Sequence, residues 1–249
     1  MAGSGPEMHA LIDALALEVR DRGLGLGLPY IAISADIGDP EPMRDGEGRA
    51  YAETLFRWLD PGLQYWKDRG FALRSPFVFA CRYSAEPFYF QDERFGTWRP
   101  APRLEAIGVV QQSDATRVGS AIVAPAHLPG GVIGAIVWAS PDKLDIRPVF
   151  EAQAAELSAL SLKLFAAYHE LRVRTGELVR LTRREIQCLK WAAKGKTDAE
   201  IAELVKISMP TVRFHMRNAA DKMGAVGRPQ AVQRAAALGY IGEPQAARG

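Results

Sequence analysis

The 249-residue chain carries only two cysteines and four histidines. Cys81 and Cys188 lie 107 positions apart, with no second thiol or histidine pair beside either. That spacing excludes a disulfide framework or a zinc site and leaves two reduced, buried thiols. His9, His127, His169 and His215 are scattered, and neither a Ser, His and acid arrangement nor a glycine-rich phosphate loop is present. An enzyme is not expected, nor is a metal or cofactor. Long hydrophobic runs are missing too. Val132 to Ala139 falls far short of the roughly 18 residues that cross a bilayer. No signal peptide opens the chain, so a soluble cytoplasmic protein with no membrane partner is expected.

What is present is ordinary globular material, with 48% hydrophobic and 24% charged residues. The length fits two domains at roughly 100 to 200 residues each. Net charge is only +2, but it is unevenly placed. Through Gly176 there are 18 Lys and Arg against 22 Asp and Glu; beyond it there are 13 against 7. A basic module joined to a mildly acidic one suits nucleic-acid binding, because Lys and Arg must offset backbone phosphates.

Apolar spacing predicts a helix over Glu7 to Arg20 and a strand over Tyr30 to Ser34, followed by a surface loop from Asp39 to Gly48. Helical patterns follow at Arg49 to Leu59 and Gly62 to Arg69. Strand-like runs come next at Phe77 to Arg82, Pro87 to Phe90, Glu105 to Val110, Ser120 to Ala124 and Val132 to Trp138. The result is helices interleaved with a mostly antiparallel sheet. A long helix is expected over Val149 to Val173, its stripe running through Phe150, Leu157, Leu160, Leu164, Tyr168 and Leu171. Such a stripe serves as core, or as a seam that also pairs with its twin in a dimer.

From Leu181 onward each helix announces its start. Thr182 with Glu185, and Thr197 with Glu200, are capping boxes. The first helix buries Ile186, Leu189 and Trp191 or Ala192 and stops at Gly195; the second buries Ile201, Ala202 and Leu204. Ser208 then caps a third helix, from Met209 to Met223, with Pro210 in its first turn. Val212, His215 or Met216, and Ala219 face inward, which turns Arg213, Phe214 and Arg217 outward. Two arginines a turn apart on an exposed face, after a tight turn, suit reading of guanine edges in the major groove of double-stranded DNA. Lys196, Thr197, Ser208, Thr211 and Lys222 sit near helix ends and are the candidate phosphate contacts. Arg228 to Leu238 supplies a fourth helix.

This stretch resembles the DNA-binding domain of LuxR-type regulators. The likeness rests on Glu185, Leu189, Gly195-Lys-Thr197, Glu200-Ile-Ala202, Thr211-Val212, His215, Arg228 and Ala231. It implies that Arg213, Phe214 and Arg217 face the bases and that the fourth helix is a dimerisation surface. The first 171 residues resemble the autoinducer-binding domain of quorum-sensing LuxR proteins, through the order of elements, the Val132–Ser140 strand and the aromatics of Trp58 to Trp66 and Pro87 to Phe90. That resemblance implies an α+β chain. An α-β-α sandwich sensor domain with an antiparallel sheet (1–171) and a linker (172–179) precede an all-α four-helix helix-turn-helix domain (180–242) and a flexible tail (243–249).

The resemblance also places ligand contacts at Trp58, Trp66, Ser75, Phe90 and Val137. Where the family has Asp-Pro this chain has Ser75-Pro76, and the donors expected at Phe90 and Val137 are absent. A second alignment puts Asp60-Pro61 in that role. Loss of polar anchors for a homoserine lactone implies an apolar or aromatic signal molecule, or none. The expected function is sequence-specific transcriptional regulation by a homodimer; the alternative is a ligand-independent regulator or anti-activator that acts by protein–protein dimerisation.

Overall fold

Alternation along the strands sets the architecture of the larger part of the chain. The computed structural model describes residues 5–39, 41–60, 62, 75–110, 117–172 and 178–242. It splits the chain into two compact units, Met1–Leu128 with Val132–Arg174, and Thr175–Gly249 with Pro129–Gly131.

In the first unit the described residues form one five-stranded sheet of β1 (Tyr30–Ser34), β2 (Phe88–Gln91), β3 (Arg94–Gly96), β4 (Ser120–His127) and β5 (Ile133–Ser140). The order is β1-β5-β4-β2-β3, and every neighbouring pair is antiparallel. Because side chains alternate across a strand, register sorts them into two faces. Ile122 lies opposite Trp138, and Ile31 and Ile33 lie opposite Trp138 and Ile136. These bulky residues meet Ile12, Ala16 and Val19 of helix α1 (Gly5–Gly25) and Phe150, Leu157, Leu164 and Phe165 of a long helix, α5 (Arg147–Arg172). On the other face Ala121 lies opposite Ala139, and Val123 opposite Val137. Those residues meet Phe77, Ala80 and Cys81 of α3 (Pro76–Cys81) and Leu104 and Ile107 of α4 (Pro102–Val110). The expected α-β-α sandwich is therefore the observed one.

Helix α5 buries the expected Phe150, Leu157, Leu160, Leu164 and Tyr168, while Leu171 is partly buried. Two runs expected as strands are helices. At Phe77 to Arg82, Ser75 Oγ accepts the Val78 amide at 3.4 Å and Pro76 occupies the first turn, so the chain winds into α3. At Glu105 to Val110, Glu105 Oε1 accepts the Ala101 amide at 2.9 Å, opening α4. The helix expected over Arg49 to Leu59 shrinks to α2 (Tyr51–Thr54). Strand β3 was not anticipated; it follows a two-residue turn in which Asp92 and Glu93 both take positive φ, at 51° and 61°. Of the pattern at Gly62 to Arg69, all but Gly62 lies outside the described residues, as do most of 172–179 and all of 243–249.

The described residues of the second unit form four helices: α6 (Arg183–Ala193), α7 (Asp198–Val205), α8 (Met209–Lys222) and α9 (Gly227–Ala237). Both capping boxes are formed, and Ser208 caps α8 through the Thr211 amide. Gly195 takes φ 78° after α6, and Lys206 takes φ 57° after α7, which makes the tight turn before α8. The core holds Cys188, Leu189, Ala192, Ile201, Val212, Met216, Ala219, Ala231 and Ala235. Ile186 and Trp191 are only partly buried, and Leu204, expected inside, is exposed because the short α7 turns a single face, centred on Ile201, to its neighbours.

Candidate functional site

Helix α8 buries Val212, Met216, Ala219 and Ala220, and this fixes the orientation of the rest of its surface. Arg213, Phe214 and Arg217 all stand in solvent on the opposite side. Phe214 is 59% exposed and rests edge-on against His215, with ring centroids 5.6 Å apart. A large aromatic and two guanidiniums exposed together on the second helix of a helix-turn-helix have the reach and donors needed for base edges.

The candidate phosphate contacts divide. Thr197 and Ser208 are N-caps at the starts of α7 and α8, and Ser208 Oγ is also 2.7 Å from Thr211 Oγ1. Lys196 Nζ is 2.8 Å from Glu200 Oε1 on the α7 surface. That ammonium, with the Thr197 amide and hydroxyl, holds the Glu200 carboxyl down at about 2. Lys222 Nζ donates to both carboxylate oxygens of the buried Glu185, at 2.8 and 2.9 Å, while its side chain stays 39% exposed. Sequence reading took Glu185 only as half of a capping box, because its second partner sits on another helix.

A second network went unread. Asp198 Oδ1 accepts from Arg228 at 2.5 Å, Asp198 Oδ2 accepts from Arg213 Nε at 3.4 Å, and Arg228 also donates to the Lys196 carbonyl. These groups, with Thr197 and Met209, line a surface cleft of about 520 Å³. The available signal was an acidic residue in the first position of α7, a pattern more often ascribed to the helix dipole.

In the first unit Trp58, Phe90 and Val137 come together in the cluster beneath α3 and α4, with Phe90 packed 5.3 Å from Phe77. Ser75 is buried at the start of α3, where its hydroxyl is already engaged as the N-cap. Asp60, the alternative anchor, is exposed, and its carboxylate accepts the Gly62 amide at 2.9 Å. Trp66 lies outside the described residues.

The family model described as "Autoinducer binding domain" matches residues 25–168, more than half of the chain. That described as "Bacterial regulatory proteins, luxR family" matches residues 179–235. The chain belongs to the LuxR-type regulators. Among its LuxR-type relatives, the transcriptional activator protein PhzR of Pseudomonas fluorescens is 31% identical over 186 residues, covering 72% of this chain and 71% of PhzR. The transcriptional activator protein VanR of Vibrio anguillarum is 52% identical over 61 residues, 24% of this chain and only 25% of its own length. A solved structure of SdiA in complex with octanoyl-rac-glycerol shares the fold at TM-score 0.51 and 18% identity, covering 94% of this chain and 91% of SdiA. The LuxR-type assignment thus rests on both units. No helix among the described residues is long and apolar enough to cross a membrane.

Proposed function

We propose that the chain is a cytoplasmic, homodimeric transcription regulator that reads a DNA sequence with α8 and responds to an apolar or aromatic small molecule held in its first unit. The observation that carries this reading is the display of Arg213, Phe214 and Arg217 on one exposed face of α8. Two such helices related by a two-fold axis would enter successive major grooves of an imperfect palindrome. Support for an apolar ligand comes from the sheet face beneath α3 and α4, where Ala121, Ala135 and Ala139 project little bulk among Trp58, Phe77 and Phe88. The engagement of Ser75 Oγ with its own helix supports a signal without the lactone's polar demands.

Selection of duplexes from a random pool, followed by footprinting, tests the DNA reading. A preferred site with two-fold symmetry is expected, and Arg213→Ala or Arg217→Ala should weaken it by about 1 to 3 kcal/mol per lost base contact. Footprints unchanged in both variants would remove α8 as the reader. Native mass spectrometry against acyl-homoserine lactones, octanoyl-rac-glycerol and aromatic candidates tests the ligand class. Retention of a lactone in preference to the others would restore a quorum-sensing signal.

A further inference from the structure

Asp198 stands between two guanidinium groups that belong to two other helices. Its contact to Arg228 on α9 is short, and Arg228 is fixed a second time by the Lys196 carbonyl, so one carboxylate oxygen is anchored. The other oxygen faces Arg213 of α8, meeting it at Nε, 3.4 Å away. This contact uses the inner edge of the guanidinium. One of the two terminal nitrogens rests 3.9 Å from Met209 Sδ, a weak acceptor that a base edge can outcompete. The terminal pair is the part of the fork that makes a bidentate contact with guanine.

Without the carboxylate, Arg213 and Arg228 would face one another as like charges across a single cleft, and both would be drawn to the nearest phosphates. A negative charge beside an arginine on a DNA-facing surface costs sequence-independent attraction. It is favourable where discrimination matters more than grip, since specificity is a difference of affinities. We infer that Asp198 is a specificity-determining positioning residue: it holds Arg213 by its inner edge in a base-reading pose and withholds it from the phosphate backbone. The inference rests on the DNA-binding reading above and adds a residue that touches no base itself.

The test uses the full chain, the duplex recovered by selection and a scrambled duplex of equal length, titrated across a salt series. Asp198→Asn keeps the side chain's shape and removes its charge. The ratio of specific to scrambled affinity is expected to fall by about fivefold or more, the low end of one bidentate base contact. Binding to the scrambled duplex should tighten, and the salt slope should steepen by about one unit as a released cation engages a phosphate. Asp198→Glu should largely preserve the ratio. In an Arg213→Ala background, Asp198→Asn should leave the ratio unchanged. An unaltered ratio in the single variant overturns the inference, as does a loss that persists without Arg213. A parallel fall of both affinities with the melting midpoint would show a structural role alone and overturn it too. A wild-type chain that selects no preferred duplex defeats the DNA-binding reading itself, and with it the role of Asp198.

Discussion

The ammonium of Lys222, in the last turn of α8, lies 2.8 and 2.9 Å from the two carboxylate oxygens of Glu185 near the start of α6. The same carboxylate accepts the Thr182 amide at 2.7 Å, and its side chain is 3% exposed. One buried charge thus ties the end of α8 to the start of α6. Lys222→Met leaves that carboxylate with a backbone donor and no counter-ion, so a loss of about 2 kcal/mol is expected. A urea titration followed by circular dichroism reads it; an unmoved midpoint would show that the pair contributes nothing.

The same carboxylate should make stability depend on acid. Burial pushes the Glu185 carboxyl up, but Lys222 and the Thr182 amide outweigh it and hold the group below the usual glutamate range. With the native value depressed, the unfolded chain takes up the proton first as pH falls. The contribution is full above the unfolded value of 4.5 and is lost as pH drops through the lower native one. Melting midpoints of the wild type should therefore decline more steeply below pH 4.5 than those of Glu185→Gln. Parallel curves would remove Glu185 from the acid response.

Gly23 is required for close approach rather than for a special backbone angle. A Cβ there would lie 2.8 Å from both the Leu28 carbonyl and Trp138 Cδ1, where Trp138 donates from its indole nitrogen to the Val19 carbonyl. Gly23→Ala should lower the stability of the first unit by about 1 to 3 kcal/mol, as overpacking does. Thermal unfolding measures it, and an unchanged midpoint would mean that α1 can shift off the sheet freely.

Both thiols should be silent in the native protein. Cys81 and Cys188 are buried and free, and burial pushes the Cys81 thiol up to about 12. A disulfide reagent at pH 8 should label neither until the chain unfolds, because only the thiolate attacks. Rapid labelling before unfolding would show that these cores open readily.

The central strands were legible because Tyr30 to Ser34 alternates between buried and half-buried positions, and the two long hairpin strands are apolar runs buried almost throughout. The helix-turn-helix was legible because Thr182, Thr197 and Ser208 announce each start locally. Short apolar runs were not. Phe77 to Arg82 and Glu105 to Val110 are too brief for period to separate helix from strand, and in each case a single capping contact decides. Strand β3 escaped because Asp92 and Glu93 take positive φ without a glycine to advertise the turn. The Lys222–Glu185 pair was not legible because its partners lie 37 residues apart, and pairings across helices leave no mark in local spacing.

The two faces of the sensor sheet are written in alternate positions of the same strands. Along β5, Ala135, Val137 and Ala139 point to one helical layer, while Ile136 and Trp138 point to the other. Every second codon therefore addresses a different layer, so a change at Ala135 or Ala139 meets the cluster of Phe77 and Ile107, while Trp138 keeps its bond to the Val19 carbonyl on the other face. Such a strand carries two independent sets of instructions, one for each layer, in a single run of chain.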